Sequence, residues 1–151
     1  MVVAHDLPLS DTTHLSAEGQ RILGERISLA FRQHLLGEDV NGTGPRLVSI
    51  TQPSSNTIKV KTTSTINDHH SYEDYFTVRE EIDSELVEIP ITALRRDPDD
   101  DTAVLITLER PPTARWTLRY MPPPERPLHT RLENVVRDSD GLPLPAFGYH
   151  Y

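Results

Sequence analysis

Ile58-Lys59-Val60-Lys61-Thr62 is the stretch from which the fold class is read. Ile58, Val60 and Thr62 alternate with two lysines, a period of two. Successive side chains of a β-strand point to opposite faces, so this pattern predicts a half-buried strand. Upstream, Leu47, Ser49 and Thr51 alternate with Val48 and Ile50. Downstream the pattern returns in Tyr75-Phe76-Thr77-Val78, Leu86-Val87-Glu88-Ile89, Val104-Leu105-Ile106-Thr107-Leu108 and Trp116-Thr117-Leu118-Arg119-Tyr120. Turn-rich pieces separate these runs: Pro53 to Asn56, Asn67 to His70, Asp97 to Asp101 and Pro111-Pro112. Six or seven short strands over about 105 residues predict an immunoglobulin-like β-sandwich.

Working towards the N-terminus, residues 38–45 hold two glycines and Pro45 and read as a linker or turn. Before them the period changes to about four. Leu23, Ile27, Phe31 and Leu35 make one apolar stripe on a helix, with Ala30 and His34 beside it. Ser16 is placed to cap that helix, Glu18 suits the positive end of its dipole, and Gly37 is a natural stop. His5 to His14 reads as a loop and Val2-Val3-Ala4 as a short strand. In the tail, Met121 to Pro124 and Leu142 to Phe147 are extended, with Phe147 an anchor; Gly148 to Tyr151 is expected to be free or to touch a neighbour.

The 151 residues carry a formal net charge of −8, and the only adjacent basic pair, Arg95-Arg96, runs into Asp97, Asp99, Asp100 and Asp101. Nucleic-acid binding needs clustered cations against phosphate, so it is not expected. No apolar run reaches the roughly 20 residues needed to span a bilayer, and no basic-then-apolar leader opens the chain. There is no cysteine, hence no disulfide and no thiolate metal site; the compartment stays open. Hydrophobic residues make up 36%, lean enough that a partner surface would help stability.

Asp11-Thr12-Thr13-His14-Leu15-Ser16-Ala17-Glu18-Gly19-Gln20-Arg21-Ile22-Leu23-Gly24-Glu25-Arg26-Ile27, with the preceding Val2 to Leu9, resembles the last block of SGNH (GDSL-type) hydrolases, in particular the carbohydrate and sialate O-acetylesterase branch. The resemblance covers about a quarter of the chain. It implies that His14 is the base that takes a proton from a serine and that Asp11 orients the imidazole. A weaker similarity joins Arg119 to Pro123 and Asn134 to Phe147 to the end of accessory β-sandwich modules of such esterases, found in bacterial and bacteriophage proteins.

The departures from that family are large. None of the seven glycines begins a Gly-Asp-Ser nucleophile block, and the parallel sheet is missing because the pattern after the helix is all-β. Met1 falls inside what would be the last hydrolase strand, as expected if a gene kept only the end of an esterase or if translation starts internally. The expected organisation is therefore a mainly β protein. Residues 1–37 form a remnant of the last hydrolase block (loop plus amphipathic helix), residues 38–45 a linker, and residues 46–151 an immunoglobulin-like sandwich with a Pro-rich tail. The leading functional expectation is a non-catalytic structural or interaction module, part of a homo-oligomer or a larger assembly such as a bacteriophage virion. Without its parallel sheet the helix stripe must cover the sandwich or dock on a partner. The alternative is a subunit that supplies Asp11 and His14 to a polysaccharide O-acetylesterase completed by another chain. A third reading is a carbohydrate-binding module using Trp116 and Tyr120, which share strand parity; buried core is the plainer expectation for both.

No cofactor and no metal is expected. His69-His70 with Asp68 and Glu73 lacks a distant third ligand and reads as a polar loop. Asp97 to Asp101 and Asp138-Ser139-Asp140-Gly141 lack the closing glutamate of a calcium loop. Asn41-Gly42-Thr43 matches a glycosylation acceptor but reads as a turn.

Overall fold

The structure, a computed structural model, describes residues 1–67, 75–121 and 128–151. Among the described residues one helix, α1 (Ala17–Leu35), precedes eight strands: β1 (Leu47–Ser54), β2 (Thr57–Thr62), β3 (Phe76–Ile82), β4 (Glu85–Ile89), β5 (Ile91–Asp97), β6 (Asp100–Leu108), β7 (Trp116–Tyr120) and β8 (Phe147–His150). They form two four-stranded antiparallel sheets, ordered β1-β2-β6-β5 and β4-β3-β7-β8. One apolar core joins them, so the architecture is a β-sandwich. Ile58, Val60, Val104, Ile106 and Leu108 enter it from the first sheet, and Phe76, Val78, Trp116, Leu118 and Tyr120 from the second.

The alternation of β2 behaves as its sequence predicts. Ile58, Val60 and Thr62 are buried, while Lys59 and Lys61 point outward and reach Asp97 at 2.6 Å and Asp100 at 2.8 Å. Asp83 and Ser84 join β3 to β4 in a two-residue turn with φ of 51° and 67°, the left-handed pair that matches the twist of a hairpin.

Two local expectations are corrected and one strand that the sequence reading passed over is added. Val2 to Ala4 is no strand: the Val3 carbonyl accepts from Arg26 and the Ala4 carbonyl from Leu7 N–H, so neither is free for a ladder. Ile91–Asp97, which has no period-two signature, is an edge strand that turns only Leu94 firmly into the core. The final residues are not free: Phe147–His150 pairs with β7, and Tyr151 N–H donates to the Trp116 carbonyl.

The helix caps follow the sequence. Ser16 Oγ accepts from Gly19 N–H at 3.1 Å, and Gly37 takes φ +67° just beyond the end. Its packing is less expected. The stripe does not cover the sandwich: Ile27, Phe31 and Leu35 are 52%, 51% and 71% exposed. No helix residue belongs to the main apolar core. The inward side centres instead on Arg26, 4% exposed, between the half-buried Ile22 and Leu29. Gly42 is packed against the helix, while Gly44 lies against Leu142. A Cβ on Gly42 would meet the Leu29 carbonyl oxygen at 2.4 Å, and Gln33 accepts from Gly42 N–H.

Candidate active site

The loop that carries Asp11 and His14 is closed at its base before α1 begins. Leu9 bridges Leu15, Ser10 N–H donates to the His14 carbonyl at 2.8 Å, and Ser16 N–H donates to the Pro8 carbonyl. A substituent on Gly19 would strike that same Pro8 oxygen at 2.5 Å, so the first helical turn sits directly against the loop. Inside the loop, Asp11 Oδ1 accepts from the backbone N–H groups of Thr13 and His14, each at 2.8 Å. Its other oxygen, Oδ2, lies 2.9 Å from His14 Nδ1.

Those two backbone donors, then the His14 ring, hold the Asp11 carboxyl at about 2, below its ordinary 3.8. An ionised carboxylate only accepts, so Nδ1 carries the hydrogen, and Nε2 of a neutral ring presents its lone pair. The His14 side chain is 78% exposed, and Nε2 has no partner among the described residues. Such a pair can take a proton from a hydroxyl brought to Nε2 and stabilise the resulting imidazolium. The neighbouring Ser10 hydroxyl is turned to the His14 carbonyl instead.

The loop is anchored by an ionic cluster that the sequence reading did not single out. Asp6 is fully buried and accepts from Arg26 at 2.6 and 2.7 Å and from Arg137 at 2.7 Å. Arg26 also donates to the Val3 carbonyl, and Arg137 to the carbonyls of Leu132 and Gly141. The N-terminal arm, the helix and the segment before β8 thus meet at one carboxylate. Backbone bonds from His129 N–H to Leu9 and from Leu132 N–H to Asp6 tie the same segments together. The available sequence signal was an arginine one turn beyond Ile22 and one turn before Ala30, on the side of the helix away from Phe31.

Trp116 and Tyr120 lie on one face of β7, as their parity predicts, and that face is interior: they are 3% and 0% exposed. Trp116 is stacked under Tyr151 at 5.0 Å. Tyr120 packs on Phe76 and Phe147, and its hydroxyl accepts from Val136 N–H. Neither ring offers a face to a sugar in this arrangement. Asp68, His69, His70, Tyr72 and Glu73 lie outside the described residues. Asp97 and Asp100 are engaged by the lysines of β2. Asp138 accepts from the N–H groups of Asp140 and Leu142 and from Asn41, whose side chain also reaches Asp140. Among the described residues no three carboxylates or imidazoles are grouped to hold a metal ion. No described helix is long and apolar enough to cross a membrane.

No family model matches this chain, and no curated protein matches it. Solved structures do. A carbohydrate acetylesterase from Xanthomonas citri superposes with a TM-score of 0.60 at 16% identity, over 90% of this chain and 28% of that one. The S-layer protein SbsC gives 0.54 at 12% identity, over 89% of this chain and 16% of that one. The N-terminal part of the bacterial S-layer protein SbsC gives 0.50 at 10%, over 92% and 29%. The chain spans less than a third of each of these three proteins. At these identities the likeness is one of fold: a β-sandwich fold related to part of a carbohydrate acetylesterase and to S-layer domains.

Proposed function

We propose that this chain is the acid–base portion of a serine carbohydrate O-acetylesterase, with Asp11 and His14 serving a serine held on another polypeptide segment. The observation that carries the reading is the preorganised pair: an ionised carboxylate fixed by two backbone donors, an imidazole oriented through Nδ1, and an open Nε2. In this role His14 takes the proton as the serine oxygen attacks the acetyl carbonyl, then returns it to the departing sugar oxygen. A water molecule, activated in the same way, releases acetate. The fold likeness to a carbohydrate acetylesterase supports the substrate class. The test combines this chain with a segment carrying a Gly-Asp-Ser block and follows acetate release from an O-acetylated polysaccharide. His14→Ala should lower kcat by about a million-fold. Because the ring is exposed, the unfolding midpoint should stay where it was. Unchanged turnover in the variant would sink the reading.

A second reading rests on the outer face of α1. Ile27, Phe31, Leu35 and Leu36 are each more than half exposed. A contiguous apolar surface of that kind suits a structural or interaction module in a larger assembly, such as a bacteriophage virion. Native mass of the assembly isolated from its source separates the two. Many copies without a serine-bearing chain favour the structural module, and a stoichiometric complex with such a chain favours the esterase.

A further inference from the structure

A groove of about 450 Å³ runs between α1 and the segment 129–142. Arg21 and Ile22 line its helix side, and His129 and Arg131 its other side. Beneath it lies Asp6, a single carboxylate serving three guanidinium groups. Two of these are satisfied. Arg26 makes a two-pronged contact with Asp6 and a bond to Val3, while Arg137 has Asp6 and two backbone carbonyls. Arg131 is placed differently: its buried Nε sits 3.5 Å from Asp6 Oδ2 as an ion pair without a hydrogen bond, while its side chain is 35% exposed and its two terminal nitrogens donate to no described residue.

Asp6 thus cancels only one of the three guanidinium charges of this cluster, while Glu18, Glu25, Glu133 and Asp140 line the same groove, so any pull on an anion is local to the outer end of Arg131. A guanidinium with a free edge matches the two oxygens of a carboxylate or phosphate. We propose that this groove binds a small oxyanion, a carboxylate or a phosphate group, on the free edge of Arg131. The carboxylates at the rim set the size of the ligand. Glu18 and Glu25 are already engaged by Arg21, and Asp140 by Asn41, while Glu133 is exposed. Together they repel a polyanion but leave the Arg131 edge open to a compact single anion. The inference does not depend on the esterase reading, since no serine-bearing partner is involved.

The test titrates this chain with acetate, with inorganic phosphate and with glycerol, following the Arg131 side-chain N–H and the Gly141 amide by NMR. Saturable shifts with an anion and none with glycerol are expected. A response to acetate alone marks the site as one for carboxylates, and to phosphate alone as one for phosphates. Arg131→Gln should weaken binding about tenfold or more, the value of a charge-assisted bond. Arg131→Lys keeps the charge beside Asp6 but loses the fork, and carries the same expectation should the glutamine variant unfold. No saturable shift up to roughly 100 mM, a Kd too weak for a formed site, overturns the proposal. So does a variant that binds as tightly as the parent.

Discussion

Replacing Asp6 by asparagine keeps the shape of the side chain and removes the one negative charge on which the arm, the helix and the 131–141 segment converge. Burial by itself would raise the Asp6 carboxyl. The Arg26 hydrogen bonds and the charges of Arg137 and Arg26 outweigh that and hold it at about 2, against an ordinary 3.8. Two units of depression correspond to about 2.5 kcal/mol of folding stability. The sign follows from the direction. A carboxyl depressed in the folded state contributes fully above about pH 4, and that contribution is lost as pH falls through 2. Asparagine at pH 7 costs more than this linkage, because three guanidinium groups remain without a counter-charge. Breaking one side of a buried ion pair costs about 3–5 kcal/mol, a large part of the 5–15 kcal/mol typical of a domain. Urea unfolding followed by the fluorescence of the single tryptophan, Trp116, which is 3% exposed, measures the difference. Asp6→Asn should lose about 3–5 kcal/mol at pH 7. The gap to the parent should narrow by about 1.8 kcal/mol as pH is lowered from 4 to 2. A loss below about 1 kcal/mol, in the range of an exposed ion pair, would refute the argument that this cluster anchors the loop. So would a gap that does not close in acid.

Tyr120→Phe removes the hydroxyl that accepts from the buried Val136 N–H at 2.9 Å. It should cost about 1–3 kcal/mol in the same unfolding assay, and faster hydrogen exchange at Val136 would locate the effect. Gly42→Ala would put a methyl group 2.4 Å from the Leu29 carbonyl oxygen and 2.7 Å from Ala30 Cα, so helix and loop must part. A loss of about 2 kcal/mol or more is expected, whereas Gly24→Ala, with open space around it, should be neutral or slightly stabilising. Phe31→Glu should leave the unfolding midpoint within about 0.5 kcal/mol of the parent and lower the binding of an apolar dye. A large loss of stability would mean that the face is covered.

Much of the sandwich was legible because burial on one face writes itself into the sequence with a period of two. The core strands β2, β6 and β7 all carry that signature. The strands that escaped notice, β5 and β8, are edges of their sheets. An edge strand can be held by a neighbour's backbone with little apolar patterning of its own, as Thr92, Ala93, Arg95 and Arg96 illustrate. The helix stripe was equally legible, but which side would be buried was not. A stripe records where apolar residues stand, while burial is decided by what lies opposite. Here that is an arm, a glycine-containing turn and a buried carboxylate, which favour Arg26 over Phe31.

The Asp11–His14 pair shows the same division at shorter range. Residues three apart in a short loop before a capped helix can meet with little help from the remainder of the chain, so sequence alone could place them together. Whether Trp116 and Tyr120 face water or each other's neighbours depended on which sheet closed over β7. The Asp6 cluster depended on segments 20 and 131 positions away from Asp6. Local spacing determines local geometry. Charges that find one another across the whole chain are decided only when the tail returns to pack against the arm and makes an interior cheap enough for a carboxylate only because three arginines surround it.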